Sequence, residues 1–233
     1  MEGKKQNQIL VLQAFKGIFN EHDEELVMYP VWKRKPNFSK IIDATRSHLN
    51  FEITRDGCVE PIDLHHSIAR RVKELLKKEG IKDPNEGLEK PRYRTVANII
   101  IGGSYESMYK LAFYKQQVNM NNGADNSNIQ RVGGIEHWAK DMYNFFAKKF
   151  GEKYIVAFLV HLDVNNPYAN CIVVPVAVDS KGNKTISWKK TFVGGEGKIA
   201  DFKRSMSTLM DELAEVNRKY GLLRGESFHV NYR

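Results

Sequence analysis

The chain has 233 residues, 42% of them hydrophobic and 27% charged, so it can bury a sizeable core and has the composition of a soluble globular protein. An excess of 36 Lys and Arg over 28 Asp and Glu leaves a formal charge of +8, which favours a polyanionic partner, nucleic acid before a membrane surface. No apolar run approaches the ~20 residues of a membrane helix, and Ile9–Leu12 is too short for a signal-peptide core. Cys58 and Cys171 lie far apart without a CxxC spacing, as in a reducing compartment. The expectation is a cytoplasmic protein, with no membrane partner, folded as one domain over residues 1–233.

Taken in chain order, Gln8–Phe15 reads as a strand of apolar and β-branched residues. Residues 21–39 are irregular, with Pro30, Pro36 and a basic knot at Lys33-Arg34-Lys35. Asn50–Arg55 is a short strand ending at Asp56-Gly57. Asp63–Lys78 is a helix capped by Asp63, with Ile68, Val72, Leu75 and Leu76 on its apolar face. Arg94–Ile101 is a buried strand stopped by Gly102-Gly103, after which Ser104 caps a helix running to about Tyr114. Asn119–Arg131, rich in Asn, Gly, Asp and Ser, is a mobile loop with the look of a lid. Gly134–Phe150 is a helix whose Ile135, Trp138, Met142, Phe145 and Phe146 step by three and four. Ile199–Tyr220 is a long helix with one apolar stripe, Ile199 to Val216, taken as core.

Between these helices stands the most informative stretch. The apolar run Tyr154–Val160 leads into His161-Leu-Asp-Val-Asn-Asn-Pro-Tyr-Ala-Asn170, and a second apolar run, Cys171–Val178, follows. Two strands joined by a polar turn would hold His161 at the end of one and Asn170 at the start of the next, a place to hold a metal against a phosphate. Upstream, Arg46, His48, Asn50 and Glu52 alternate as though on one face of an extended segment, where arginine, imidazole and amide could meet phosphate and base edges.

The order of these segments resembles the Mob/Pre relaxases, the plasmid mobilisation and recombination proteins. Arg46-Ser-His-Leu-Asn-Phe-Glu-Ile-Thr54 is similar to that family's early motif, an Arg-Ser-His-Leu-Asn run continuing into Asn-Tyr-Glu-Leu. Phe145-Phe-Ala-Lys-Lys-Phe-Gly151, followed by a strand and His161-x-Asp163, is similar to its middle part. Leu209-x-Asp-Glu-Leu-Ala-Glu-Val-Asn-x-Lys-Tyr-Gly-Leu-x-Arg-Gly225 is similar to its end. The resemblance covers nearly the whole chain. It implies an α+β fold of the HUH type, an antiparallel central sheet flanked by helices. It also implies DNA as partner, an origin hairpin with its adjoining single strand. A divalent metal, Mn or Mg, would polarise the scissile phosphate while a side chain attacks it, so that the strand can be cut and rejoined.

The chain departs from the family at chemically important positions. The third motif of the family reads His-x-Asp-Glu-x-x-Pro-His-x-His; here His161, Asp163 and Pro167 stand, while Val164, Tyr168 and Asn170 replace the Glu and the two later His. Asn offers one neutral carbonyl oxygen and tyrosine a protonated phenol, so His161, Asp163 and Asn170 form a candidate site at which metal is weakly bound or absent. The first motif resembles His-x-x-Arg, and His22-Asp-Glu-Glu25 matches its His but not its Arg. His22, Tyr29 and Tyr168 are therefore all candidate nucleophiles. DNA contacts are expected from Arg46, His48, Asn50 and Glu52, and from basic clusters with aromatic neighbours: Trp32, Lys33, Arg34, Arg92, Arg94, Trp188 and Lys189. Two functions follow, a strand-nicking relaxase or a DNA-hairpin-binding module that cannot cut, serving as a repressor or accessory.

Overall fold

The computed structural model describes residues 7–18, 42–121 and 123–226, and the backbone of 229–232. Nine strands and four helices of eight residues or more are described. They are β1 (Gln8–Lys16), β2 (Phe51–Ile53), β3 (Val59–Glu60), α1 (Ile68–Glu79), β4 (Arg94–Gly103), α2 (Tyr105–Phe113) and α3 (Gly133–Phe150). After them come β5 (Ile155–His161), β6 (Tyr168–Val173), β7 (Val176–Val178), β8 (Lys184–Ile186), α4 (Ile199–Asn217) and β9 (His229–Tyr232). Seven strands form one sheet in the order β3-β2-β5-β6-β4-β1-β9, and β7 and β8 form a separate hairpin. Neighbours in the large sheet are antiparallel except β1 and β9, which run parallel. This is the α+β class and the antiparallel, helix-flanked sheet expected from the sequence.

Strand alternation sorts the sheet into two faces. Leu10, Leu12 and Ala14, with Ala97, Ile99 and Ile101, Phe158 and Val160, and Ala169, Cys171 and Val173, all point to one side and are buried. Helix α3 covers that side: Trp138, Met142 and Phe146 are fully buried, and Tyr143 meets Phe158 edge-on at 5.8 Å. The other face carries Gln13, Asn98, Asn170, Leu159, His161 and Glu52 in register across the strands. Helix α1 closes one end of it, where Arg71 forms a buried ion pair with Glu52.

Element boundaries differ from expectation where capping or proline intervenes. Helix α1 begins at Ile68 because Ser67, not Asp63, caps it, accepting from the Arg70 amide at 3.2 Å. Asp63 instead folds a local turn onto the His65 amide. The second strand of the central pair does not run from Cys171 to Val178. It spans Tyr168–Val173, and the chain then leaves the sheet at Val174-Pro175 to form β7. Gly102 and Gly103 do not stop β4 but end it from within; a side chain on Gly103 would collide with Leu222, built Cβ to Cδ2 being 2.2 Å.

Candidate phosphate site

The β5–β6 hairpin positions the site. His161 pairs with Tyr168 and Leu159 with Asn170, so His161, Tyr168 and Asn170 share one face at the end of two central strands. The rings of His161 and Tyr168 lie 5.0 Å apart, tilted by 35°. His161 and Asn170 are each 2% exposed, and Asn170 Oδ1 has no hydrogen-bond partner among the described residues. A buried, unengaged carbonyl oxygen on the same face as an imidazole is the kind of acceptor that a cation or a ligand N–H would satisfy. Asp163 lies beyond the strand end, its carboxylate accepting from Ser47 Oγ at 3.0 Å. No three His, Cys, Asp or Glu side chains gather in metal-ligand geometry among the described residues.

What holds the turn is a layer of polar groups behind it. Residues Ala44–Leu49 form a 3-10 helix capped by Asp43, whose Oδ1 accepts from the Thr45 amide at 3.0 Å. Arg46 and His48 therefore do not lie on an extended strand with Asn50 and Glu52. Arg46 is fully buried: its guanidinium donates to Asp43 Oδ2 at 2.8 Å and to the carbonyls of Leu162 and Val164 at 2.5 and 3.4 Å. Asn50 Oδ1 accepts from the amides of Leu162 at 2.7 Å and Asp163 at 3.2 Å. The segment after His161 is thus gripped by its carbonyls and its amides together, from two residues of one short turn. Burial pushes the Asp43 carboxyl up, but hydrogen bonds from Thr45, Arg46 and Asn126 outweigh it and hold its pKa below the ordinary value.

The same network corrects the reading of the polar loop at 119–131 as a loose lid. Asn126, 3% exposed, donates to Asp43 Oδ2 at 2.7 Å and to the Asn119 carbonyl at 2.9 Å, and Ile129 is buried. The loop is pinned to the brace. Between it, Ile42–Arg46 and Asn165 opens a cleft of about 240 Å³ beside the site turn. A roomier cleft of about 460 Å³ lies among α1, β2 and β3, towards the Ile155 end of β5. Its Glu52 and Glu74 are paired with Arg71 and Arg70.

The other expected DNA contacts separate into four groups. Trp188 is 8% exposed and packs against Phe192, ring centroids 4.6 Å apart and tilted by 40°, so it is a core ring and not an open platform; Arg94 lies over it at 5.8 Å. Glu52 and Asn50 are buried and internally engaged, as Arg46 is. His48, Arg92 and Lys189 are exposed. His22, Tyr29, Trp32, Lys33 and Arg34 lie outside the described residues. The brace residues Asp43, Ser47 and Asn126 escaped the sequence reading; the signal that could have found the first is its i, i+3 spacing from Arg46.

With this geometry in place, similarity to solved structures is decisive for the fold. A MobM relaxase domain (MOBV; Mob_Pre), Mn-bound and on a 22-nucleotide pMV158 oriT DNA with a 3′-thiophosphate, superposes with a TM-score of 0.59. It shares 22% identity over 96% of this chain and 94% of that one. The chain has a Mob/Pre relaxase-like fold. A second MobM relaxase domain on 22-nucleotide oriT DNA gives 0.57 at 21% identity, over 96% of this chain and 95% of that one. A third, on 26-nucleotide oriT DNA, gives 0.55 at 17% identity with the same coverage. No protein-family model and no curated protein matches the sequence.

Proposed function

We propose that this chain is a relaxase-like DNA-binding protein that takes an origin hairpin with its adjoining single strand and sets the scissile phosphate against His161, Tyr168 and Asn170. The observation that carries the reading is the placement of these three side chains on one face at the end of β5 and β6, over a turn braced by buried Arg46 and Asn50. The MobM domains with this fold are bound to oriT DNA, which supports the same partner here, a plasmid origin in the cytoplasm.

His161 and Asn170 fit a divalent site of modest strength, one imidazole and one amide oxygen, with Asp163 close in sequence but turned to Ser47. Mn or Mg bound there would supply positive charge to the phosphate oxygens. The protein's own part is to fix the phosphate and to present a nucleophile. Tyr168, or His22 or Tyr29 from the segment outside the described residues, would form a new bond to phosphorus as the sugar oxygen leaves with the electron pair of the broken bond and takes up a proton, which a tyrosine hydroxyl gives up in attacking. The covalent link conserves the phosphodiester energy, so the departing strand end can attack in reverse and restore the DNA.

A second reading, recognition without cutting, is favoured by the donor set: Val164, Tyr168 and Asn170 stand where the family has Glu and two His. The two are separated by incubating the protein with labelled single strands from DNA flanking its own gene, with and without Mn²⁺, on denaturing gels. A metal-dependent covalent band that disappears in His161→Ala supports strand transfer, and peptide mapping then chooses among His22, Tyr29 and Tyr168. Tight hairpin binding in a gel shift with no covalent band at any metal concentration would sink the nicking step and leave recognition.

A further inference from the structure

A set of tyrosines on α2 and at its C-terminal cap is left unused by this site. Tyr105 is 46% exposed and Tyr114 56%. Tyr105 and Tyr109, four residues apart on one helix face, have ring centroids 5.4 Å apart. Tyr109 is fixed, its hydroxyl donating to the Gln116 carbonyl at 2.6 Å and accepting from the Val118 amide at 2.8 Å. Lys115 Nζ stands 5.3 Å from the Tyr114 ring centroid, and Lys110 is exposed between them. With Glu106 these residues border an open cleft of about 450 Å³.

Two observations single this face out. Tyr114 has φ 56° and ψ −110°, and among the described residues it is the non-glycine with positive φ. A bulky side chain in that region costs free energy, and such costs collect where a ring must be presented to a ligand. The face also begins close along the chain to groups that the site turn touches. Asn166 of the site turn donates to the Gly103 carbonyl at 2.9 Å, and Gly102 pairs with Tyr168, so Tyr105 stands two and three residues from groups that the site turn touches.

We propose that Tyr105, Tyr109 and Tyr114, with Lys110 and Lys115, form the track of a single DNA strand beyond the His161 site. Bases stack on the two exposed rings while phosphates pass the two lysines. Single-stranded DNA fits because only unpaired bases offer both ring faces, every base has such a face, and the ammonium groups beside the rings match the backbone charge. The proposal rests on the DNA-binding reading above, and its test separates the two.

The experiment measures fluorescence anisotropy of a labelled oligothymidylate of about 20 nucleotides, longer than one binding site. It compares wild type, Tyr105→Ala/Tyr114→Ala, Tyr105→Phe/Tyr114→Phe and Lys110→Ala/Lys115→Ala, with thermal melts confirming that each folds. The alanine pair should weaken binding about tenfold for each ring removed, whereas the phenylalanine pair keeps wild-type affinity because stacking uses the ring and not the hydroxyl. The lysine pair should flatten the salt dependence. Unchanged affinity in the alanine pair, or no wild-type binding to the oligothymidylate, overturns the track. Failure of the relaxase reading looks different: no preference for an origin hairpin and no covalent band, with the alanine pair still weakening oligothymidylate binding.

Discussion

Arg46 shows how an arginine in a DNA-associated motif can serve structure. Its three acceptors are internal, and its removal would take the counter-charge from Asp43, which keeps only its bonds from Thr45 and Asn126, and a donor from each of two carbonyls behind the site turn. Breaking a buried charged pair costs about 3–5 kcal/mol, so Arg46→Ala should lose stability of that order in urea unfolding. A phosphate-contacting arginine would instead leave stability nearly unchanged and weaken DNA binding alone. Asn50→Ala should cost about 1–3 kcal/mol for each of the two amides left without an acceptor. Asp43 adds a pH signature. Its folded pKa lies below its ordinary value, so the unfolded chain binds the proton first as pH falls. Its contribution is therefore complete above the unfolded value, about 3.9, and is lost as pH drops through the folded one. Melting temperature against pH should fall more steeply on the acid side for wild type than for Asp43→Asn, and the two curves should converge there.

Among the elements, one polar chain ties helices to sheet. Trp138 Nε1 on α3 donates to Asn217 Oδ1 on α4 at 2.9 Å, Asn217 Nδ2 donates to Gln8 Oε1 on β1 at 2.9 Å, and Gln8 Nε2 donates to the Met210 carbonyl at 2.8 Å. Asn217→Ala leaves the indole N–H buried and unpaired. A loss of about 1–3 kcal/mol is expected in denaturant unfolding, with an unchanged slope if the fold persists. Elements with strong periodicity were legible in the sequence: β1, β4, β5 and α3 stand within two residues of expectation because their apolar positions repeat at the period of the element. The misreadings have local causes. Arg46 and His48 alternate as strand residues do, but Asp43 caps the Thr45 amide and turns the chain instead. Trp188 beside two lysines looks exposed, yet its ring folds back on Phe192 while Lys189 and Lys190 reach solvent. At the site, the shared face of Tyr168 and Asn170 was readable from strand alternation, whereas the place of His161 on it follows from the β5–β6 register. The brace was not, because it joins Asp43, Arg46 and Asn50 to a turn far along the chain.

For the molecule as a whole, the excess of basic side chains, +8 in all, supplies the groups that would neutralise phosphates in a DNA complex. Affinity should fall steeply between low and physiological ionic strength, and a plot of log affinity against log salt counts the phosphates neutralised. A flat plot would contradict nucleic-acid binding altogether. Topology has a further consequence, and it concerns synthesis. Of the described strands β1 is made before the others, but its antiparallel partner β4 follows long after, and its other edge pairs only with β9, where Val11 meets His229. Until then the strand presents a row of open amides and carbonyls, half of them flanked by apolar side chains. Nascent chains halted short of His229 should therefore be captured by chaperones or aggregate, and synthesis past Tyr232 should relieve this by covering the β1 edge.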